Sequence, residues 1–144
     1  MAIFPKKPQR EAASLATARL RRVGLRPTRQ RVELASLLLT GSDRHVTAES
    51  LHDEVNGAGM KVSLATVYNT LHQFTAAGLL RQVVVDAARS YFDTNTGDHQ
   101  HFFLENEGLL IDIPGDSIAV SGVPIPPAGT AVDRVDVVVR VRRH

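Results

Sequence analysis

Residues 63–80, SLATVYNTLHQFTAAGLL, decide the fold. Ser63 can cap a helix start with its hydroxyl, and Gly78 can end that helix in a left-handed turn. Between them Leu64, Val67, Leu71 and Phe74 recur at helical spacing and predict a buried stripe. The opposite side carries Ala65, Thr66, Tyr68, Asn69, His72 and Gln73, which donate, accept or touch a methyl group. Such a face suits base-pair edges in a major groove, with Ser63 at its head and Thr66, Tyr68 and Asn69 nearest the bases. The Tyr68 ring would lie against thymine methyls and the Asn69 amide would pair with adenine. The competing reading of Tyr68 is core packing beside Leu64 and Leu71, and His72 reads as a partly exposed helix residue.

Working outward, residues 11–23 predict a helix with Leu15, Leu20 and Val23 on one side and arginines on the other, ended by Gly24. Thr28 precedes a second periodic run, Val32, Leu34, Leu37 and Leu38, that stops at Gly41. Thr47 opens a third helix, with Leu51 and Val55 inside and a Gly57–Gly59 turn closing it. After the 63–77 helix come β-rich runs at 80–85 and 90–93, separated by a polar turn at 86–89. Three helices followed by a two-stranded ribbon give the order of a winged helix-turn-helix domain, residues 1–93 with a basic tail at 1–10. Residues 94–98, TNTGD, form a polar hinge. Beyond it, strand candidates lie at 101–104, 109–113 and 132–142, and four prolines interrupt 114–130. The whole predicts an α+β chain whose residues 99–144 form a small α/β dimerisation and metal-sensing domain. The terminal run VDRVDVVVRVRR alternates in part, and fits either an edge strand pairing across a two-fold axis or a strand paired within one chain.

Composition narrows the chemistry. Cysteine is absent, which excludes disulfides, thiol catalysis and thiolate zinc sites. No run of about 18 apolar residues predicts a membrane span, and the start MAIFPKKPQREAAS lacks the apolar core of a signal peptide, so a cytoplasmic protein is expected. The net charge of +2 conceals an asymmetry. Residues 1–31 hold nine Lys or Arg against one acid, and the remainder holds eight against fourteen. The basic end suits a polyanion; a solvated tail explains residues 6–10 equally well, but not the arginines at 19–31.

His99-Gln100-His101 heads the strand after the hinge, and alternation places both imidazoles on one face. Taken alone the pair is weak evidence and reads more readily as a surface pair. Further hard ligands stand at element ends: Asp93 closing the ribbon, Asp112 on the next strand, His45 before the third helix. Imidazole with carboxylate suits Fe²⁺, Mn²⁺, Co²⁺ or Zn²⁺.

ATVYNTLHQFTAAGLL, the ribbon ending YFD, and HQHFF together resemble the Fur family of metal-responsive regulators. Within it, GLRPTRQR, RHVTAESLH, YFDTNTGDHQHFF, LLIDIPGDSI and RVDVVVRVRR are similar to the Irr branch, the iron response regulators of alphaproteobacteria. The likeness covers about residues 20–143. It implies one hinge metal site on His45, Asp93, His99, His101 and Asp112, holding Fe²⁺ or Mn²⁺ in the cell and Zn²⁺ on purification. Both acids are Asp where relatives often carry Glu. The family's second cysteine-free site is not reproduced, since its positions hold Asp98, Gln100 and Ala119, and its Cys₄ structural zinc has no ligands here. The Pro-rich crossing 121–128 replaces the usual dimerisation helix. The Irr likeness also raises haem as a ligand of His99 and His101 and as the signal, although the branch's Cys-Pro motif is missing.

The resemblance thus implies a homodimeric, sequence-specific regulator, chiefly a repressor, of iron and haem homeostasis genes, bound to a double-stranded DNA operator. Arg22, Arg26, Arg29, Arg31, Lys61 and Arg89 would hold phosphates. Asn69 stands where many relatives have Arg, which predicts a different base preference. Ligands drawn from both halves of the chain would let the metal set the angle between domains. Two other readings compete: a winged-helix module that binds protein or RNA and carries a structural metal, and a metal-dependent enzyme. The enzyme is disfavoured because the site is rich in protein ligands and has no spare general base.

Overall fold

A computed structural model describes residues 7–144 of the chain. It divides into two compact units, residues 1–96 and 97–144. The chain as a whole is α+β, as the order of elements predicts; every helix lies in the first unit and the second is built of strands and irregular backbone.

The first unit runs α1 (Lys7–Arg22), α2 (Arg29–Leu39), β1 (His45–Val46), α3 (Ala48–Gly57), α4 (Leu64–Ala76), β2 (Arg81–Asp86) and β3 (Arg89–Asp93). Each of α2, α3 and α4 starts on a hydroxyl cap. Thr28 accepts from the Arg31 amide, Thr47 from Ser50 in a reciprocal capping box, and Ser63 from Thr66. The end of α4 is closed by a Schellman motif. Gly78, at φ +84°, donates to the Thr75 carbonyl, and Leu79 donates to that of Phe74. Leu79 and Phe74 are both buried, so the same turn that stops the helix seals the core and launches β2. Ala16 and Leu20 of α1, Leu34 and Leu38 of α2, Leu51 and Val55 of α3, and Val67, Leu71 and Phe74 of α4 form one cluster with Phe92 of β3.

Several expectations are corrected. The first helix begins at Lys7 rather than 11, taking up residues expected in the basic tail; residues 1–6 of that tail lie outside the described residues. Leu15 is 57% exposed, because Ala16 and Leu20 carry that helix's buried stripe instead. On α4, Leu64 is 38% exposed and Thr70 takes the expected inward place. Thr70 tolerates burial because its hydroxyl donates to the Thr66 carbonyl. The ribbon is a three-stranded sheet of order β1-β3-β2, since His45 and Val46 pair antiparallel with Asp93 and Phe92. Two residues are too short to show a strand period in sequence.

The second unit is a sheet of order β5-β4-β6, from β4 (Gln100–Leu104), β5 (Leu109–Ile113) and β6 (Val138–Val141). β4 and β5 form a hairpin, and β6 runs parallel to β4 after the long crossing 114–137. The terminal strand, expected from 132, begins only at Val138. The Gln100 side chain occupies the preceding rungs: its Oε1 accepts from the Val137 amide at 2.6 Å and its Nε2 donates to the Val135 carbonyl at 3.3 Å. β6 therefore pairs within its own chain, beside β4.

In the first unit the Arg44 guanidinium grips Glu54 of α3 with two bonds, 2.6 and 3.1 Å. That hydrogen bonding holds the Glu54 carboxyl below its usual range against a smaller opposing effect of burial. A depressed carboxyl adds stability above its unfolded pKa, and that stability is lost as pH falls through the folded value. Glu54→Gln should therefore flatten the acid side of the stability profile below about pH 5. Both partners are about a third exposed, so the expected loss, measured by urea denaturation at stepped pH, is under about 1 kcal/mol.

Candidate metal centre and nucleic-acid interface

In the second unit, register places His101 directly opposite Asp112 in the β4–β5 hairpin. His99 precedes β4 by one residue, so the two-residue period brings it to the same face. The imidazoles lie 4.6 Å apart between ring centres. Both converge on a single oxygen, with His99 Nε2 at 3.3 Å and His101 Nε2 at 3.4 Å from Asp112 Oδ1. Both histidines are buried, whereas Asp112 is open to solvent.

The bonding of His99 decides what that arrangement can do. Its Nδ1 lies 2.7 Å from the Gly97 carbonyl, a contact that an N–H must make. A neutral ring bonded in this way presents its Nε2 lone pair toward the carboxylate oxygen, and a metal ion placed between the two would take both as ligands. The spacing fits a metal: ligands about 2.1 Å from an ion lie about 3.4 Å apart at a tetrahedral edge and about 3.0 Å at an octahedral one. The carbonyl on Nδ1 is the usual outer support of a metal-binding histidine. Nitrogen and carboxylate donors without sulfur fit Zn²⁺, Mn²⁺ or Fe²⁺.

The remaining expected ligands, His45 and Asp93, face each other within the first unit. They are cross-strand partners in β1–β3, with Nε2 and Oδ2 3.1 Å apart. The Asp93 side chain is 1% exposed, and its Oδ1 accepts from the Asn95 amide at 2.9 Å. A buried carboxylate persists only with such partners.

The face expected to read nucleic acid is the outward side of α4. Ser63 Oγ both receives the Thr66 amide and donates to Thr66 Oγ1, so these two residues form one polar head to the helix. Asn69 is exposed. Tyr68 is 36% exposed, which removes it from the core. Its ring lies against His72, 5.5 Å away at 30°, and His72 meets the buried Phe92 edge-on. An aromatic ladder from β3 thus sets the position of Tyr68. Arg22 and Arg26 stand exposed at the α1–α2 junction and Lys61 just before α4. Arg29 is 91% exposed but bonds Glu33 one turn on.

Two more of the cations named as phosphate holders are engaged within the protein. Arg89 pairs with Asp86 across the β2–β3 turn. Arg31 reaches from α2 to Gln73 of α4, 42 residues away. Sequence reading placed Gln73 on the polar face but had no means of finding its partner. It likewise missed the Gly97 carbonyl, because a backbone acceptor leaves no mark in residue type.

If His101 is a direct ligand, His101→Ala should lower the affinity for Mn²⁺ or Zn²⁺ by at least about tenfold in isothermal titration, since outer-shell losses alone already cost that much. Unchanged affinity would place the ion elsewhere.

Comparison with known proteins agrees with this geometry. The profile of the ferric uptake regulator family matches residues 22–127. The chain is 36% identical over 94 residues to a ferric uptake regulation protein of Pseudomonas aeruginosa, covering 65% of this chain and 70% of that one. It is 37% identical over 93 residues to the peroxide operon regulator of Bacillus subtilis, covering 65% and 63%. Among solved structures, the ferric uptake regulator of Pseudomonas aeruginosa with manganese superposes with a TM-score of 0.66 at 27% identity, over 90% of this chain and 98% of that one. With a capped polar helix, a sheet that follows it and a His–Asp cluster beyond the hinge, the chain belongs to the ferric uptake regulator family.

Proposed function

We propose that this protein is a sequence-specific DNA-binding transcription regulator whose DNA-bound state depends on a divalent metal ion. The observation that carries the metal dependence is the convergence of His99 and His101 on one Asp112 oxygen, with the outer nitrogen of His99 already committed to a carbonyl. The reading of DNA follows from family membership and from the outward face of α4, flanked by Arg22, Arg26, Arg29 and Lys61. In this reading residues 1–93 bind the operator and residues 99–144 sense metal and pair the subunits.

We take the ion to draw on His45 and Asp93 as well. Asp93 and His99 are six positions apart across the 94–98 hinge, and both groups offer hard donors. An ion shared in this way restrains the hinge, and it shifts the protein towards DNA binding to the extent that it binds that state more tightly. Fe²⁺ or Mn²⁺ is the resident ion, with Zn²⁺ able to replace it. A bare cation suits the site better than haem, since His99 and His101 are both buried and point to one carboxylate oxygen. The iron-response reading, with repression of iron and haem genes and haem as signal, rests on the motif likeness over residues 20–143. A role as a winged-helix module for protein or RNA gains no specific observation.

Footprinting of apo and Mn²⁺-loaded protein on its own promoter region tests the switch. His45→Ala and His101→Ala should each abolish the metal-dependent gain in operator affinity. Operator affinity that is equal with and without metal in the unaltered protein would defeat the reading.

The outward row of the second sheet supports pairing with a second copy. Phe102, Leu109 and Ile111 share one face and are 38, 50 and 42% exposed, with Val139 and Val141 in the same row. Ile111→Glu should convert a dimer to a monomer in analytical ultracentrifugation; an unchanged sedimentation coefficient would move the interface elsewhere.

A further inference from the structure

The Arg31–Gln73 pair bears on which bases α4 can accept. Thr66, Asn69 and Gln73 occupy one side of α4 at spacings of three and four. Together with Arg26, Thr28 and Arg31 they line one open concavity where the start of α2 meets α4. Within it, Arg31 Nε and Nη2 both donate to Gln73 Oε1, at 3.2 and 3.1 Å. Arg31 Nη1 donates to the Arg26 carbonyl at 3.0 Å, which anchors the guanidinium from behind. A guanidinium has donors only, so the amide atom facing it must be the oxygen.

The chemical consequence is a one-sided amide. A free glutamine pairs with adenine by accepting from N6 and donating to N7. Here both lone pairs of Gln73 Oε1 are filled, and the amide can offer only its NH₂ group. We propose that Gln73 is a base-specificity residue locked by Arg31 as a donor, selecting a base that presents acceptors in the major groove (guanine O6 or N7, thymine O4) and rejecting the adenine pairing that an unlocked glutamine would make. Arg31 is then a positioning residue, not a phosphate clamp. This inference rests on the proposed reading of α4 as the DNA-reading helix.

The two roles of Arg31 leave different signatures. A phosphate contact contributes to all sequences alike and adds about one to the salt dependence of binding. A positioning contact changes preference at one base pair and leaves the salt slope alone. The test is selection of duplexes from a randomised pool by the full chain in Mn²⁺, followed by salt titration on the selected site. It compares the unaltered protein with Arg31→Met, Arg31→Lys and Gln73→Ala.

Unaltered protein should select an acceptor-presenting base at one position of each half-site, and Gln73→Ala should lose preference at that position only. Arg31→Met and Arg31→Lys should admit adenine there, with discrimination falling about tenfold and the salt slope unchanged. Neither Arg31 change should have any further effect on preference in the Gln73→Ala background. Uniform weakening by Arg31→Met with a salt slope lower by about one, or a Gln73→Ala variant that selects the original sequence, overturns the inference while leaving α4 as the reading helix. An unaltered protein that selects no sequence overturns the parent reading and this inference together.

Discussion

Burial of one side of α4 is the constraint on which the rest depends. Val67, Leu71 and Phe74 are fully buried, and side chains of this kind contribute about 1.5–3 kcal/mol each when removed from water. With that stripe committed to the core, the helix cannot rotate, and Ser63, Thr66, Asn69 and Gln73 must face outward. The Schellman turn at Gly78 couples the same burial to the sheet, because Leu79 seals the core as it redirects the chain into β2. β3 then carries Phe92 inward under His72 and places Asp93 opposite His45. One packing decision thus orients the polar face and sets the His45–Asp93 pair.

The second unit solves a different problem with little core of its own. Its three strands bury Phe103, Leu110 and Ile113, and two further interior places go to His99 and His101. Polar groups in such places cost stability unless bonded. Here the cost is met by the Gly97 carbonyl on one imidazole and Asp112 beside both. An ion held by these groups would add coordination to that bonding, so that metal binding and the order of this sheet become linked.

Much of the fold was legible in the sequence because its signals are local. Thr28, Thr47 and Ser63 marked helix starts through caps that act within one turn, and Gly78 marked an end through its φ. Misreadings arose where a local rule met a tertiary competitor. Leu15 is more apolar than Ala16, but α1 turns Ala16 and Leu20, four residues apart, toward the core and leaves Leu15 outside. Leu64 was expected in the buried stripe of α4 and is exposed, while Thr70 is buried with its hydroxyl satisfied within the helix. The terminal run looked like a strand from 132, but the Val137 amide and the Val135 carbonyl bond the Gln100 side chain rather than the backbone of β4.

By itself the sequence determined the capped starts of α2, α3 and α4, the α+β order, the absence of thiolate chemistry, and the shared face of His99 and His101, because each depends on residue type and spacing alone. Only the tertiary structure decided that His101 stands opposite Asp112, that Gly97 commits one side of His99, that β1 exists, and that Arg31 holds Gln73 rather than standing free. Those are contacts between segments or with backbone atoms. Register and distance across the fold create them, and no periodicity in one stretch of chain encodes them.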